Sequence, residues 1–327
     1  MDLLDTEPIV DDDDTIAAAL SQLSVSALTA TVVQITGDPA HVRGPIRPRQ
    51  FIQNEFQGML DADEQDQLRR DALEAVCAWR DAGCPPPAPL QSDLIREVMD
   101  WVACEPVPAD TVALYAEEMD LAGENPRAIP LPPEGALPEG FSVVIIGLGA
   151  SGLLAAIRLQ EAGIPFEIIE KTDGVGGTWF VNTYPGARVD VASHFYSYSF
   201  ERNNDFSQYY TRQPELAAYF RKTLEKNKIG DHVTWNTEVT RAVWDQDAAR
   251  WSLTLQSSDG TTHTREAAAV ISGVGVLSRP LIPDIDGLDR FDGPVFHAAQ
   301  WDHSVDLRGK RVALVGAGAS GFQIGPA

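Results

Sequence analysis

The chain has 327 residues, enough for more than one domain, because single hydrophobic cores stop growing at roughly 250–300 residues, and its formal net charge is −23. Residues 1–140 hold 8 Arg and no Lys against 27 Asp and Glu, while residues 141–327 hold 17 basic against 21 acidic side chains. Such a field repels phosphate backbones and anionic bilayers, so nucleic acid and lipid surfaces are excluded as expected partners.

No run of about 18 apolar residues points to a membrane span. MDLLDTEPIV, residues 1–10, has neither a basic region nor a long apolar one, so a cytoplasmic location is expected. Cys77, Cys84 and Cys104 share no ligand spacing and are expected to be core thiols, with no metal and no disulfide.

Residues 1–125 are expected to form an all-helical extension. DDDD at 11–14 reads as a solvated helix start, and the run TIAAALSQLSVSALTATVVQITGD as helix up to Gly37. DEQDQLRRDALEAVCAWRDAG places Leu68, Ala72, Val76 and Trp79 on one helical face, with Gly83 just past the end, and CPPPAPL breaks the helix. SDLIREVMDWVA and PADTVALYAEEMDLAG are two further helices, the second with Asp110 as its expected cap. Nothing catalytic is read in this part.

Residues 126–140 are rich in Pro and Gly and read as a linker. After them the pattern changes type. FSVVIIG, SGLLAAIRLQEAG and PFEIIE form a strand, a helix and a strand, a βαβ unit. TRQPELAAYFRKTLEKN puts Leu216, Phe220 and Leu224 on one helical face, with Pro214 in the first turn. TWNTEVTRAVWD, RWSLTLQSSDG and THTREAAAVISG alternate as strands, with Asp259-Gly260 as a hairpin turn. RVALVG, at 311–316, is expected to be a strand that repeats the βαβ opening.

Three glycine clusters carry the chemistry. Gly147, Gly149 and Gly152 stand between the first strand and its helix, and Glu170 ends the next strand. That context suits a dinucleotide: a tight turn, backbone N–H groups approaching a diphosphate at a helix N-terminus, and a carboxylate for ribose hydroxyls. DGVGGTW, at 173–179, follows at once; backbone free of side chains beside an aromatic wall favours the larger FAD over NAD. Gly316, Gly318 and Gly321 form the third cluster, and two dinucleotide turns imply hydride transfer from a nicotinamide to a flavin.

GGTWFVNTYPGARVD (176–190) and FDGPVFHAAQWD (291–302) resemble the two fingerprints of Baeyer–Villiger monooxygenases. In the first, Gly176, Gly177, Trp179, Tyr184, Pro185, Gly186 and Asp190 fall on the pattern. In the second, Phe291, Gly293, His297 and Trp301 do, followed by Asp302, while Ala298 stands where many members carry threonine. The resemblance runs through residues 141–327, and the helical extension is similar to that of the branch containing 4-hydroxyacetophenone monooxygenase.

The resemblance implies a Rossmann-like α/β flavoprotein with two dinucleotide-binding domains. An FAD domain is expected at 141–285, a fingerprint linker at 286–310 and the start of an NADPH domain at 311–327. It further implies that Ser151, Glu170, Gly176, Gly177, Thr178, Trp179, Arg188, Val189, Asp190, Tyr196 and Val239 contact cofactor, with Asp190 as the catalytic carboxylate. NADPH would reduce FAD, O2 would add at the flavin C4a, and the resulting peroxide would attack a ketone carbonyl to give an ester or lactone. A homodimer through the extension is expected. The catalytic arginine of the family and most of its NADPH domain fall beyond residue 327, so the chain is expected to be cut short and not competent alone. N- or S-oxygenation, simple flavin reduction and a non-catalytic FAD-binding module are the alternatives.

Overall fold

The computed structural model describes residues 8–49, 57–119, 132–133 and 136–327. The chain divides into two compact units, Met1–Ala128 and Ile129–Ala327. Most of the linker expected at 126–140 lies outside the described residues.

The first unit contains α1 (Asp13–Ser21), α2 (Val25–Thr36), α3 (Ala40–Arg43), α4 (Ala62–Asp81), α5 (Ser92–Ala103) and α6 (Ala109–Met119). The helical run expected over 15–38 is broken in two between Ser21 and Val25. Ser24 is the cause: its hydroxyl accepts the Ala27 N–H at 3.4 Å and starts a new helix, a local bond that competes with extending the old one. Gly37, at φ +68°, ends α2 where expected.

α4 opens on a reciprocal pair, Asp61 accepting from the Glu64 N–H while the Glu64 carboxylate accepts from the Asp61 N–H. It closes at Gly83 (φ +82°), whose N–H donates to the Arg80 carbonyl while Cys84 donates to that of Trp79. These bonds satisfy the carbonyls that a last helical turn leaves open. Leu68 and Ala72 are buried on the expected face and Val76 and Trp79 half-buried.

Asp110 does not cap α6. The Pro108 carbonyl accepts from Thr111 and Val112, which puts Asp110 inside the first turn, where its charge still favours the helix N-terminus. α2 and α4 each feed two apolar clusters, one with Val25, Val33, Leu68 and Trp101, the other with Ile16, Leu28, Val32 and Ala72.

In the second unit β1 (Val143–Ile146), α7 (Ala150–Glu161) and β2 (Phe166–Ile169) form the expected βαβ unit, followed by α8 (Thr178–Val181) and α9 (Gln213–Lys226). Then come β3 (Val233–Thr234), β4 (Thr237–Asp245), β5 (Arg250–Ser257), β6 (Thr262–Ala267), β7 (Ala269–Ser272) and α10 (Ala319–Ile324). A parallel sheet has the order β3-β2-β1-β7, with Val143 opposite both Phe166 and Ala269. The strands β4, β5 and β6 make a separate antiparallel sheet. This is the Rossmann-like α/β architecture, preceded by a helical unit.

Strand periodicity sorts the core. Ile145 and Ile168 face α7 and α9, joining Leu153, Ile157 and Phe220, while Val144 and Ile169 point the other way to Leu253, Leu255 and Ala267 of the antiparallel sheet. Ile145, Ile168, Leu253 and Leu255 are fully buried, each contributing about 1.5–3 kcal/mol.

Two strand expectations are corrected. The run 262–273 is two strands, because the Ala268 N–H turns to the Ser142 carbonyl at 2.9 Å and carries the chain from one sheet into the other. RVALVG forms no strand: Val312, Leu314 and Val315 are exposed and 311–316 joins no ladder among the described residues. Apolar, β-branched sequence makes a strand only where a neighbour takes its backbone hydrogen bonds.

Candidate cofactor site

The first glycine turn sits where β1 runs into α7. Gly147 has φ +91°, and its N–H donates to the Ile169 carbonyl at 2.9 Å. A Cβ there would lie 2.8 Å from the Gly273 carbonyl, and a Cβ on Gly152 would overlap the Gly147 carbonyl itself. Gly149 is the N-cap of α7 and offers no capping side chain. The first intrahelical bond runs from Leu153 to Gly149 at 3.0 Å, so the N–H groups of Ala150, Ser151 and Gly152 precede it and face outward from the helix end.

Glu170, just past β2, is buried and fastens this turn. One carboxylate oxygen accepts the Leu148 N–H at 2.6 Å, and the other accepts the N–H and hydroxyl of Thr172 at 2.9 and 2.8 Å. Tyr198 donates its hydroxyl to the Ala150 carbonyl at 2.5 Å. Burial, with the neighbouring Tyr219 and Tyr196, pushes the Tyr198 phenol well above its ordinary range and keeps it a donor.

The second cluster packs onto the first. The Gly176 N–H donates to the Leu148 carbonyl at 3.0 Å. Gly177, at φ +55°, comes so close to the first turn that a Cβ on it would lie 2.9 Å from the Gly149 Cα. Thr178 begins α8 and is exposed; Trp179 donates its indole N–H to the Tyr196 hydroxyl at 2.9 Å, with the rings edge to face. Backbone bare of side chains, beside the open N-terminus of α7 and an aromatic pair, fits a dinucleotide diphosphate and a large ring system.

Tyr184, Pro185, Gly186 and Ala187 form a turn in which Ala187 donates to Tyr184 and Gly186 has φ +79°, with proline and glycine at the positions a type II turn demands. Arg188 then pairs with Arg212 as an isolated antiparallel bridge: Val189 donates to Thr211 and Gln213 to Ala187. Val189 is buried, and Asp190 is exposed and makes no hydrogen bond or ion pair among the described residues. Arg188 donates through Nε to the Gly186 carbonyl, so an Arg188–Asp190 ion pair does not form. Val239 lies on β4 against Val144 and Leu253, on the far face of the parallel sheet from α7.

At the second glycine turn, Gly316 has φ +115°, Gly318 caps α10, and a Cβ on Gly321 would lie 2.6 Å from the Gly316 carbonyl. In the second fingerprint, His297 opens a short helical turn by accepting the Ala299 N–H on Nδ1. Trp301 stacks edge to face on Phe296, and the exposed Phe291 lies over Gly293. Asp302 accepts from the hydroxyl and N–H of Ser304, and His303 shares a 2.8 Å hydrogen bond with Thr183, joining the two fingerprints.

Residues 141–326, more than half of the chain, match the model of the flavin-binding monooxygenase-like family. The chain belongs to that family. Among similar proteins, an uncharacterized monooxygenase of Sinorhizobium fredii is 35% identical over 313 residues, 95% of this chain and 46% of its own length. A Baeyer-Villiger monooxygenase of Pseudomonas aeruginosa is 48% identical over 195 residues, 59% of this chain and 36% of its own. A crystal structure of OTEMO in complex with FAD and NADP superposes with a TM-score of 0.53 at 33% identity, covering 57% of this chain and 36% of that one. The chain therefore spans less than half the length of these relatives.

Within this flavin-binding monooxygenase-like unit, three residues that build the site were not singled out from sequence. Gly273, after β7, packs against the first turn so tightly that its Cβ would lie 3.2 Å from the Gly152 N; a glycine directly following the strand AVIS was the available signal. Thr172 shares Glu170 with the turn. Gln323 binds the Tyr184–Arg188 segment, and no local pattern marks it.

Proposed function

We propose that the chain serves Baeyer–Villiger oxidation, the insertion of one oxygen atom of O2 beside a ketone carbonyl to give an ester or lactone. The observation that carries the reading is the position of the first fingerprint between the two glycine turns. It is bonded to the first through Gly176 and Leu148, and to the second through Gln323. The similarity to a protein named Baeyer-Villiger monooxygenase and to a structure holding FAD and NADP supports it.

On this reading Gly147, Gly149, Ser151, Gly152 and Glu170 hold FAD by its diphosphate and ribose. Gly176, Gly177, Thr178, Trp179 and Tyr196 flank its ring, and Gly316, Gly318 and Gly321 give backbone contact to NADPH. When bound, the flavin supplies oxygen activation and the nicotinamide supplies hydride. The protein binds, orients and excludes water. Trp179 and Tyr196 wall the ring site, and the free Asp190 carboxylate, on a segment fixed by Val189, orients cationic groups around the nicotinamide. The fingerprint at 291–302 links the two dinucleotide regions.

The test begins with FAD titration of the chain. Gly177→Ala puts a methyl into the approach between Gly177 and Gly149, so its affinity for FAD is expected to fall about tenfold or more, about 1.4 kcal/mol, with a smaller change in melting temperature. A variant that binds FAD as tightly as the parent removes this loop from the site. Incubation of the chain, extended through a complete NADPH domain and loaded with FAD, with NADPH, a cyclic ketone and a sulfide then separates lactone from sulfoxide, and NADPH consumption without either product marks a reductase.

A further inference from the structure

Gln323 spends its whole carboxamide on the first fingerprint. Its Nε2 donates to the Arg188 carbonyl at 2.9 Å, and its Oε1 accepts the Arg188 N–H at 3.3 Å and the Tyr184 hydroxyl at 3.0 Å. The antiparallel bridge explains why Arg188 is available. In that pairing the bonds to the 211–213 edge are made by Val189 and Ala187, so the N–H and C=O of Arg188 point to the opposite side. Gln323 meets both, as a third strand would. Gly186 permits the approach, since a Cβ at that position would overlap the Gln323 carbonyl.

We propose that Gln323 is a positioning residue that ties the Arg188–Asp190 segment to the second glycine turn, so that the state of one site is felt at the other. The proposal rests on the assignment of the two turns to FAD and NADPH. Gln323 lies two residues after Gly321, on the helix that the turn opens, so a shift of that turn on binding moves the carboxamide and with it the backbone of Arg188. Linkage makes the effect reciprocal. Glutamine is suited to this because one planar group carries donor and acceptor side by side. Glutamate keeps the shape but sets a carboxylate against the Arg188 carbonyl, and methionine keeps the length but offers neither bond.

The test uses the chain extended through a complete NADPH domain, with Gln323→Met, Gln323→Glu and Tyr184→Phe. Amide hydrogen exchange is followed at Arg188, with β1 and α7 as internal controls. Loss of the acceptor is expected to speed exchange at Arg188 about tenfold in Gln323→Met and less in Gln323→Glu and Tyr184→Phe, which keep an oxygen to accept the Arg188 N–H, while the controls stay unchanged. The second readout is the FAD dissociation constant with and without saturating NADP+. Its ratio is expected to differ from one by about fivefold or more in the parent and to collapse to one in Gln323→Met.

Parent-like exchange at Arg188 or a parent-like affinity ratio in Gln323→Met overturns the proposal, as does a ratio of one in a parent that binds both cofactors. A parent that binds no FAD defeats the functional reading instead, and the exchange measurement still decides whether Gln323 holds the segment. If the Gln323 variants fail to fold, the parent carries the test: saturating NADP+ must change exchange at the Arg188 amide by about fivefold or more, and an unchanged rate overturns the proposal.

Discussion

The two glycine turns share a backbone and differ in everything around it. Gly147 and Gly316 both have strongly positive φ, Gly149 and Gly318 both cap a helix in extended conformation, and Gly152 and Gly321 both lie against the carbonyl of the first glycine. The first turn is enclosed by β2, the Gly273 backbone, the Glu170 carboxylate and the 176–177 loop. At the second, a Cβ on Gly316 or Gly318 would meet nothing within 4 Å, and the sequence leading into it is exposed. Glycine spacing therefore specifies the turn locally, whereas its rigidity comes from neighbours far away in sequence.

Alanine at the third glycine gives the largest contrast. Alanine is otherwise better than glycine in a helix by roughly 0.5–1 kcal/mol, so overlap decides the outcome. Gly152→Ala forces a methyl into the Gly147 carbonyl where both sides are packed, and should cost ~3 kcal/mol. Gly321→Ala meets the same obstacle in an exposed turn that can open, and should cost no more than about 1 kcal/mol. Thermal or denaturant unfolding of the two variants measures the difference, and equal losses would show that enclosure contributes nothing.

Glu170 sharpens the same contrast. Its buried carboxylate accepts three hydrogen bonds from Leu148 and Thr172. Glu170→Gln replaces one accepting oxygen by a donor, leaving a buried N–H unanswered at a cost of about 1–3 kcal/mol. A variant that melts with the parent would mean that the turn holds itself.

A smaller difference is expected at the first glycine. Both Gly147→Ala and Gly316→Ala incur backbone strain of about 1–3 kcal/mol at positive φ, but only Gly147→Ala also presses on the Gly273 carbonyl, at 2.8 Å. The first variant should lose about 1 kcal/mol more than the second. The opposite order would place the cost in the backbone alone.

These pairs also mark what a sequence can carry. The turn glycines, Glu170 at the end of β2 and the βαβ unit follow from local rules of φ, spacing and periodicity. The strand expected at 311–316 obeys the same rules and does not form, because a strand is completed by a partner and not by its own residues. Ser24 breaks a helical run that composition favours, through one short-range hydrogen bond. Gln323 and Gly273 act on residues 135 and 121 positions away, respectively Arg188 and Gly152. Their roles exist only once the fold has brought the partners together, so no window of sequence reveals them.

The smallest expected effect lies at the end of the second fingerprint. The hydroxyl of Ser304, and then its N–H, hold the Asp302 carboxyl below the usual carboxylate range. A depressed folded-state pKa contributes stability that is present above the unfolded value and is lost as pH falls through the folded one. Asp302 is exposed to solvent, which screens that contribution, so acidification should release the 302–304 turn without a measurable change in global melting. The Ser304 amide resonance should move with a midpoint below the ordinary carboxylate range, and the movement should vanish in Asp302→Asn. Because His303 in this turn bonds Thr183 of the first fingerprint at 2.8 Å, the Thr183 signals should follow those of Ser304 if the contact transmits the change. A Thr183 resonance that stays fixed while Ser304 titrates would confine the effect to the exposed side, and would leave Gln323 as the tie between the two regions.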